Sequence, residues 1–91
     1  MSKVFLDTNI FVYSLDQSDS GKRKKCRKLL KSLTSENSGV ISTQVMQEFY
    51  VNVTRKISKP ISPSEARGIL STYATWQVEI IHPADVVQAS E

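Results

Sequence analysis

Cysteine, histidine and tryptophan each occur once in the 91 residues, and glycine and proline three times each. The single cysteine, Cys26, excludes an intrachain disulfide and suits a reducing, cytoplasmic setting. The single histidine, His82, has no second His or Cys at ligand spacing, which excludes a zinc site built from those residues. Long apolar runs are also missing. The longest mostly apolar stretch, Ile10 to Leu15, falls far short of the roughly 20 residues that cross a bilayer, and Met1-Ser2-Lys3 is followed by an apolar triplet and then Asp7, which is not the apolar core of a secretory signal. Excess charge of one sign is absent too: 12 Lys and Arg stand against 9 Asp and Glu. With 40% apolar residues, disorder is excluded, because such a chain can bury enough surface to offset its entropy.

What is present is one small domain whose segments alternate in period, as α/β chains do. Lys3 to Leu6 is a short apolar run stopped by Asp7-Thr8-Asn9, which predicts a buried first strand. Asp7, Thr8 or Asn9 caps a short buried helix over Ile10 to Leu15, and Asp16 to Gly21 forms a polar loop. From Lys22 the residues Cys26, Leu29, Leu30 and Leu33 recur at i, i+3, i+4 and i+7, the apolar stripe of an amphipathic helix. Ser35 to Gly39 ends that helix and Val40-Ile41 forms a second strand. A further amphipathic helix runs from about Gln44 to Lys56, with Val45, Met46, Phe49, Tyr50 and Val53 on one arc and Gln44, Glu48, Asn52 and Arg55 on the other.

Ser62-Pro63-Ser64-Glu65 is a capping box with Pro at the first helical position, and the helix it opens runs to about Tyr73. Gln77 to Ile81 alternates as a third strand, and His82 to Asp85 turns into a last helix that begins at Val86. Strands joined by helical connections imply a parallel sheet with right-handed crossovers. Trp76, just before the third strand, packs in the core or covers an edge. Cys26 reads as a small buried hydrophobe, and the sequon Asn52-Val53-Thr54 carries no weight inside a helix.

Two acids stand where chemistry is expected. Asp7 lies at the carboxyl end of the first strand, where open α/β sheets bind ligands. Glu48 faces away from its helix's apolar arc, about two turns after the second strand, so it can reach the same sheet edge. Converging carboxylates make a hard-oxygen site for Mg²⁺ or Mn²⁺. The residues alone leave a second reading open, in which Asp7 merely caps a helix and Glu48 is a solvated surface charge.

Val4-Phe5-Leu6-Asp7-Thr8-Asn9-Ile10-Phe11-Val12-Tyr13 resembles the opening of a PIN domain, the nuclease fold of VapC-type toxins. Ile41-Ser42-Thr43-Gln44-Val45-Met46-Gln47-Glu48-Phe49-Tyr50 is similar to that family's second motif. The resemblance implies a three-layer α/β fold with a central parallel sheet flanked by helices. It also implies a metal-dependent endoribonuclease, with clustered acids that hold one or two divalent cations for attack of water on an RNA phosphodiester. Asp7 and Glu48 are then the metal and catalytic residues. Thr8 and Asn9 are candidates for orienting Asp7 or for positioning phosphate; Asn52 and Arg55, which share the Glu48 face, are candidates for bonding phosphate or metal-bound water, with a surface Glu48–Arg55 pair as the alternative. Toxins of this kind usually pair with an antitoxin protein.

The family places a third acid at the start of a helix that would follow Glu91, and a fourth after the next strand. Asp85 falls ahead of the third position, and Asp16 and Asp19 match no motif. On that implication residues 1–91 are the N-terminal two-thirds of an incomplete PIN-like nuclease domain, expected to be inactive alone. Seven Lys and Arg between Lys22 and Lys31 form a basic face, and Lys24, Lys25 and Lys28 are candidate RNA contacts, although no aromatic residue interleaves them. Two rival readings follow: a non-catalytic basic module that binds RNA or a protein, and an assembly fragment that dimerises through the first strand's free edge.

Overall fold

A computed structural model describes residues 3–80. The order of elements is β1 (Val4–Phe5), α1 (Thr8–Tyr13), α2 (Ser20–Glu36), β2 (Gly39–Ser42), α3 (Thr43–Val51), a π-helical segment (Asn52–Lys56), α4 (Pro63–Tyr73) and β3 (Gln77–Glu79). The strands form a parallel sheet in the order β1-β2-β3, with Val4 opposite Gly39, Phe5 opposite Val40, and Val40, Ile41 and Ser42 opposite Gln77, Val78 and Glu79. Helices cross between successive strands, as parallel pairing requires. The α/β class and the parallel sheet expected from the alternating periods are therefore present. The third strand, expected over Gln77 to Ile81, ends at Glu79, and Ile80 lies outside it; Ile81, the turn from His82 to Asp85 and the helix from Val86 lie outside the described residues.

The starts of the helices follow their capping residues. The Asp7 carboxylate accepts from the Asn9 backbone N–H at the start of α1, Asp19 accepts from that of Lys22 at the start of α2, and Ser42 accepts from that of Val45 at the start of α3. Each side chain satisfies a backbone donor that the first helical turn leaves unpaired. The cap at Asp19 starts α2 at Ser20, ahead of the expected Lys22. At its other end, Asn37 adopts the left-handed conformation with φ of 53°, so the reversal is made at Asn37, and Gly39 already belongs to β2.

The core joins Phe11 and Val12 of α1, Leu30 and Leu33 of α2, Ile41 of β2, Phe49, Val53 and Ile57 from the α3 region, Ala66 of α4, and Trp76. Phe11 stands at its centre, edge-on to Phe49 at 6.4 Å and to Tyr73 at 4.9 Å, with Trp76 at 5.8 Å. These offset geometries are the ones aromatic quadrupoles favour. Two expectations about burial do not hold. Leu29, placed on the apolar stripe of α2 by spacing, is exposed, because the stripe that faces the core is the narrower one of Cys26, Leu30 and Leu33. The first strand is not buried on both faces: Val4 and Leu6 pack against the core, but Phe5 between them is 66% exposed. β1 stands at a sheet edge among the described residues and has β2 as its only neighbour there.

Candidate active site

Parallel strands place every carboxyl end at one edge of the sheet, and the chain leaves β1 and β2 there to enter α1 and α3 almost at once. Asp7 is the last residue before α1, and its Oδ1 accepts the Asn9 N–H at 2.9 Å. The cap fixes the carboxylate at the sheet edge while leaving it exposed. Glu48 lies about one and a half turns into α3. The packing of α1 on α3 through Phe11 and Phe49 brings Glu48 over the start of α1. There the Thr8 hydroxyl donates to Glu48 Oε2 at 2.6 Å, a short charge-assisted bond. Asp7 is therefore the immediate chain neighbour of a side chain in direct contact with Glu48, although the two acids are 41 positions apart in the chain.

Glu48 is held at two further points. Gln44 Nε2 donates to its Oε1 at 3.2 Å, and Asn52 Nδ2 donates to its backbone carbonyl at 2.7 Å. Gln44, Glu48 and Asn52 thus form the polar stripe expected from helical spacing. Arg55 does not join it, and it makes no hydrogen bond or ion pair with a described residue. The reason is the π-helical segment, in which the Ile57 N–H reaches back to the Asn52 carbonyl at 3.1 Å. A wider turn rotates the chain less per residue than an α-helix does, so Arg55 falls short of the Glu48 face. Spacing and motif together point to Thr8, Asn9 and Asn52 as supporting residues and assign Gln44 no role. The signal that does exist for Gln44 is its i, i+4 relation to Glu48.

The donor set is all oxygen, carboxylate and hydroxyl, which fits Mg²⁺ or Mn²⁺ and not a thiolate-seeking metal. Among the described residues no group of three or more His, Cys, Asp or Glu converges here or elsewhere. Two carboxylates with water as the remaining ligands fit a weakly held Mg²⁺, which keeps much of its hydration shell. The site is an open edge. A cavity of about 520 Å³ between α2, α4 and the two residues that follow α1 is lined by residues including Leu15, Arg27, Leu30, Ile69 and Tyr73 and by neither acid. An exposed edge of this kind admits a polymer backbone more readily than it encloses a small molecule.

A family model for the PIN domain matches residues 4–91. The chain belongs to the PIN domain family. PIN domains are in general nucleases and typically use divalent metal ions. No curated protein matched the chain. No helix among the described residues is long and apolar enough to cross a membrane.

In this PIN domain the basic residues of α2 divide by task. Lys22 Nζ sits over the Tyr13 ring, 4.1 Å from its centroid, and Arg27 Nε donates to the Ser14 carbonyl at 2.7 Å. Both fasten α2 to the end of α1. Lys24, Lys25 and Lys28 are exposed and make no hydrogen bond or ion pair with a described residue. From there α2 runs back across the sheet to start β2 parallel to β1.

Proposed function

We propose that the chain is the acid-bearing part of a metal-dependent endoribonuclease of the VapC toxin type, acting in the cytoplasm as an intact PIN domain. The observation that carries this reading is the Thr8–Glu48 hydrogen bond, which ties Glu48 to the chain neighbour of Asp7. Asp7 and Glu48 are the residues that would hold Mg²⁺ or Mn²⁺. When bound, the ion supplies Lewis acidity and offsets the charge that builds on a phosphodiester under attack. The chain's own residues do the rest. The Asn9 N–H and the Thr8 hydroxyl hold the two carboxylates in fixed directions, and Lys24, Lys25 and Lys28 draw the RNA backbone to that edge. An antitoxin protein is the expected partner. A homodimer paired through the free edge of β1 is the expected alternative assembly.

One observation favours a second reading, a basic module that binds RNA without cutting it: no third carboxylate joins the pair among the described residues. Cleavage of a structured RNA with and without Mg²⁺ or Mn²⁺ separates the two. The nuclease reading expects metal-dependent cleavage by the intact domain, abolished by Asp7→Asn and by Glu48→Gln. Metal-independent cleavage would contradict it. Salt-sensitive RNA binding that is lost on neutralising Lys24, Lys25 and Lys28, with no cleavage at any metal concentration, would establish the binding module instead.

A further inference from the structure

We propose that Gln44 is a positioning residue for Glu48, and that it sets the affinity of the carboxylate pair for a divalent cation. The inference deepens the metal-site reading above and rests on it. Gln44 Nε2 donates to Oε1 of Glu48 at 3.2 Å, the Thr8 hydroxyl donates to Oε2 at 2.6 Å, and Asn52 Nδ2 donates to the Glu48 carbonyl at 2.7 Å. A carboxylate on a solvent-exposed glutamate ordinarily samples many directions, because its long side chain keeps its rotamer freedom. Here each oxygen accepts one bond from a different side, one donor coming from α3 itself and the other from α1, so rotation about the terminal bond is arrested. Each oxygen keeps a lone pair for a cation.

The direction of those remaining lone pairs is what a small, strongly hydrated ion tests most strictly, because Mg²⁺ sites demand near-octahedral angles. Thr8 alone would leave Oε1 free to swing about the Oε2 contact. Gln44 is placed by the helix, one turn before Glu48 on the same face, and it needs no tertiary contact to reach the carboxylate. Its amide also carries no charge, so it holds Glu48 without competing with the cation, as a lysine at that position would.

The test uses the full 91-residue chain, with Mn²⁺ as the probe and binding read directly by the loss of free Mn²⁺ signal in electron paramagnetic resonance. Gln44→Met keeps the length and aliphatic packing of the side chain but removes the donor. It is expected to raise the Mn²⁺ dissociation constant about tenfold, the lower end of what residues that hydrogen-bond a metal ligand contribute. Thr8→Val is expected to do the same. Gln47→Met, at an exposed position next to Glu48, is expected to leave the constant unchanged, and the urea midpoints of all three variants should match that of the wild type. An unchanged dissociation constant in Gln44→Met, with Glu48→Gln losing Mn²⁺, would overturn the role of Gln44 while leaving the metal site standing. Millimolar Mn²⁺ that fails to bind the wild-type chain, or binds Glu48→Gln as well, would overturn the metal-site reading and this inference with it.

Discussion

Gly39 opens β2 directly beneath the indole of Trp76. A Cβ placed on Gly39 would lie 2.3 Å from Cζ3, 2.4 Å from Cε3 and 2.7 Å from Cη2 of that ring. Carbon atoms pack at about 3.5–4.0 Å, so Gly39→Ala requires the ring to withdraw by more than about 1 Å. Trp76 has little room for this. It is 6% exposed, its Nε1 donates to the Thr34 hydroxyl at 3.1 Å, and it meets Tyr73 edge-on at 5.2 Å and Phe11 at 5.8 Å. Overpacking of a core costs about 1–3 kcal/mol, and surrender of the indole hydrogen bond adds about 1 kcal/mol. The expected destabilisation is therefore about 2–4 kcal/mol. With a urea m-value of about 1.5 kcal/mol/M, the midpoint should fall by roughly 1.3–2.7 M.

Trp76 is the only tryptophan, so its fluorescence reports both the displacement and the unfolding transition. A double-mutant cycle, with unfolding followed by circular dichroism, assigns the cause: in a Trp76→Leu background the same Gly39→Ala change should cost less than about 1 kcal/mol, since the smaller side chain leaves space for the methyl group. If Gly39→Ala unfolds within about 0.5 kcal/mol of wild type, or if the two changes add without coupling, the close approach of glycine and indole is not what fixes this glycine.

Ser62→Ala removes the hydroxyl that accepts the Glu65 N–H at 3.1 Å and donates to the Glu65 carboxylate at 3.2 Å; it should cost about 1 kcal/mol in urea unfolding, and Ser62→Asp should cost much less. Burial pushes the Tyr73 hydroxyl above its ordinary value of 10, with the nearby Arg27 charge opposing in part. The unfolded chain therefore loses that proton first. Stability linked to Tyr73 is complete below about pH 10 and is lost as pH rises through the folded value. Urea midpoints measured between about pH 9 and 11 should decline less steeply in Tyr73→Phe than in wild type, and parallel declines would refute the linkage.

Local chemistry makes much of this PIN domain legible in its sequence. The capping box at Ser62 places α4 at Pro63–Tyr73 because the signal is confined to adjacent residues. Asp7 and Glu48 stand out as candidates because each falls in a contiguous string that resembles a motif of the family, a strand end running into a helix. What escapes is set by tertiary contact or by departure from an ideal period. Leu29 and Cys26 are both apolar members of the α2 stripe, and only the position of the neighbouring elements decides which is covered. Phe5 reads as a buried strand residue, yet its exposure depends on which neighbours the sheet has. The Gly39–Trp76 contact joins residues 37 apart, and nothing near Gly39 announces an indole. Arg55 belongs on the Glu48 face only if an α-helical turn persists through a segment that does not keep it.

That departure lets one rod serve two faces. In an unbroken α-helix a series spaced by four residues drifts about 40° each step, and Phe49, Val53 and Ile57 would spiral progressively off the core. Widening the turn over Asn52–Lys56 rotates the chain in the opposite sense relative to that drift, and all three remain buried, at 1%, 0% and 8% exposure. The Glu48 end is thereby free to keep the register that meets Gln44 and Thr8, while the far end keeps the register that meets the core. Deleting one residue between Val53 and Ile57 would set Ile57 seven positions after Phe49, about 20° from it on an unbroken α-helix, so the wide turn absorbs one extra residue and leaves both the acid and the hydrophobic anchor in place.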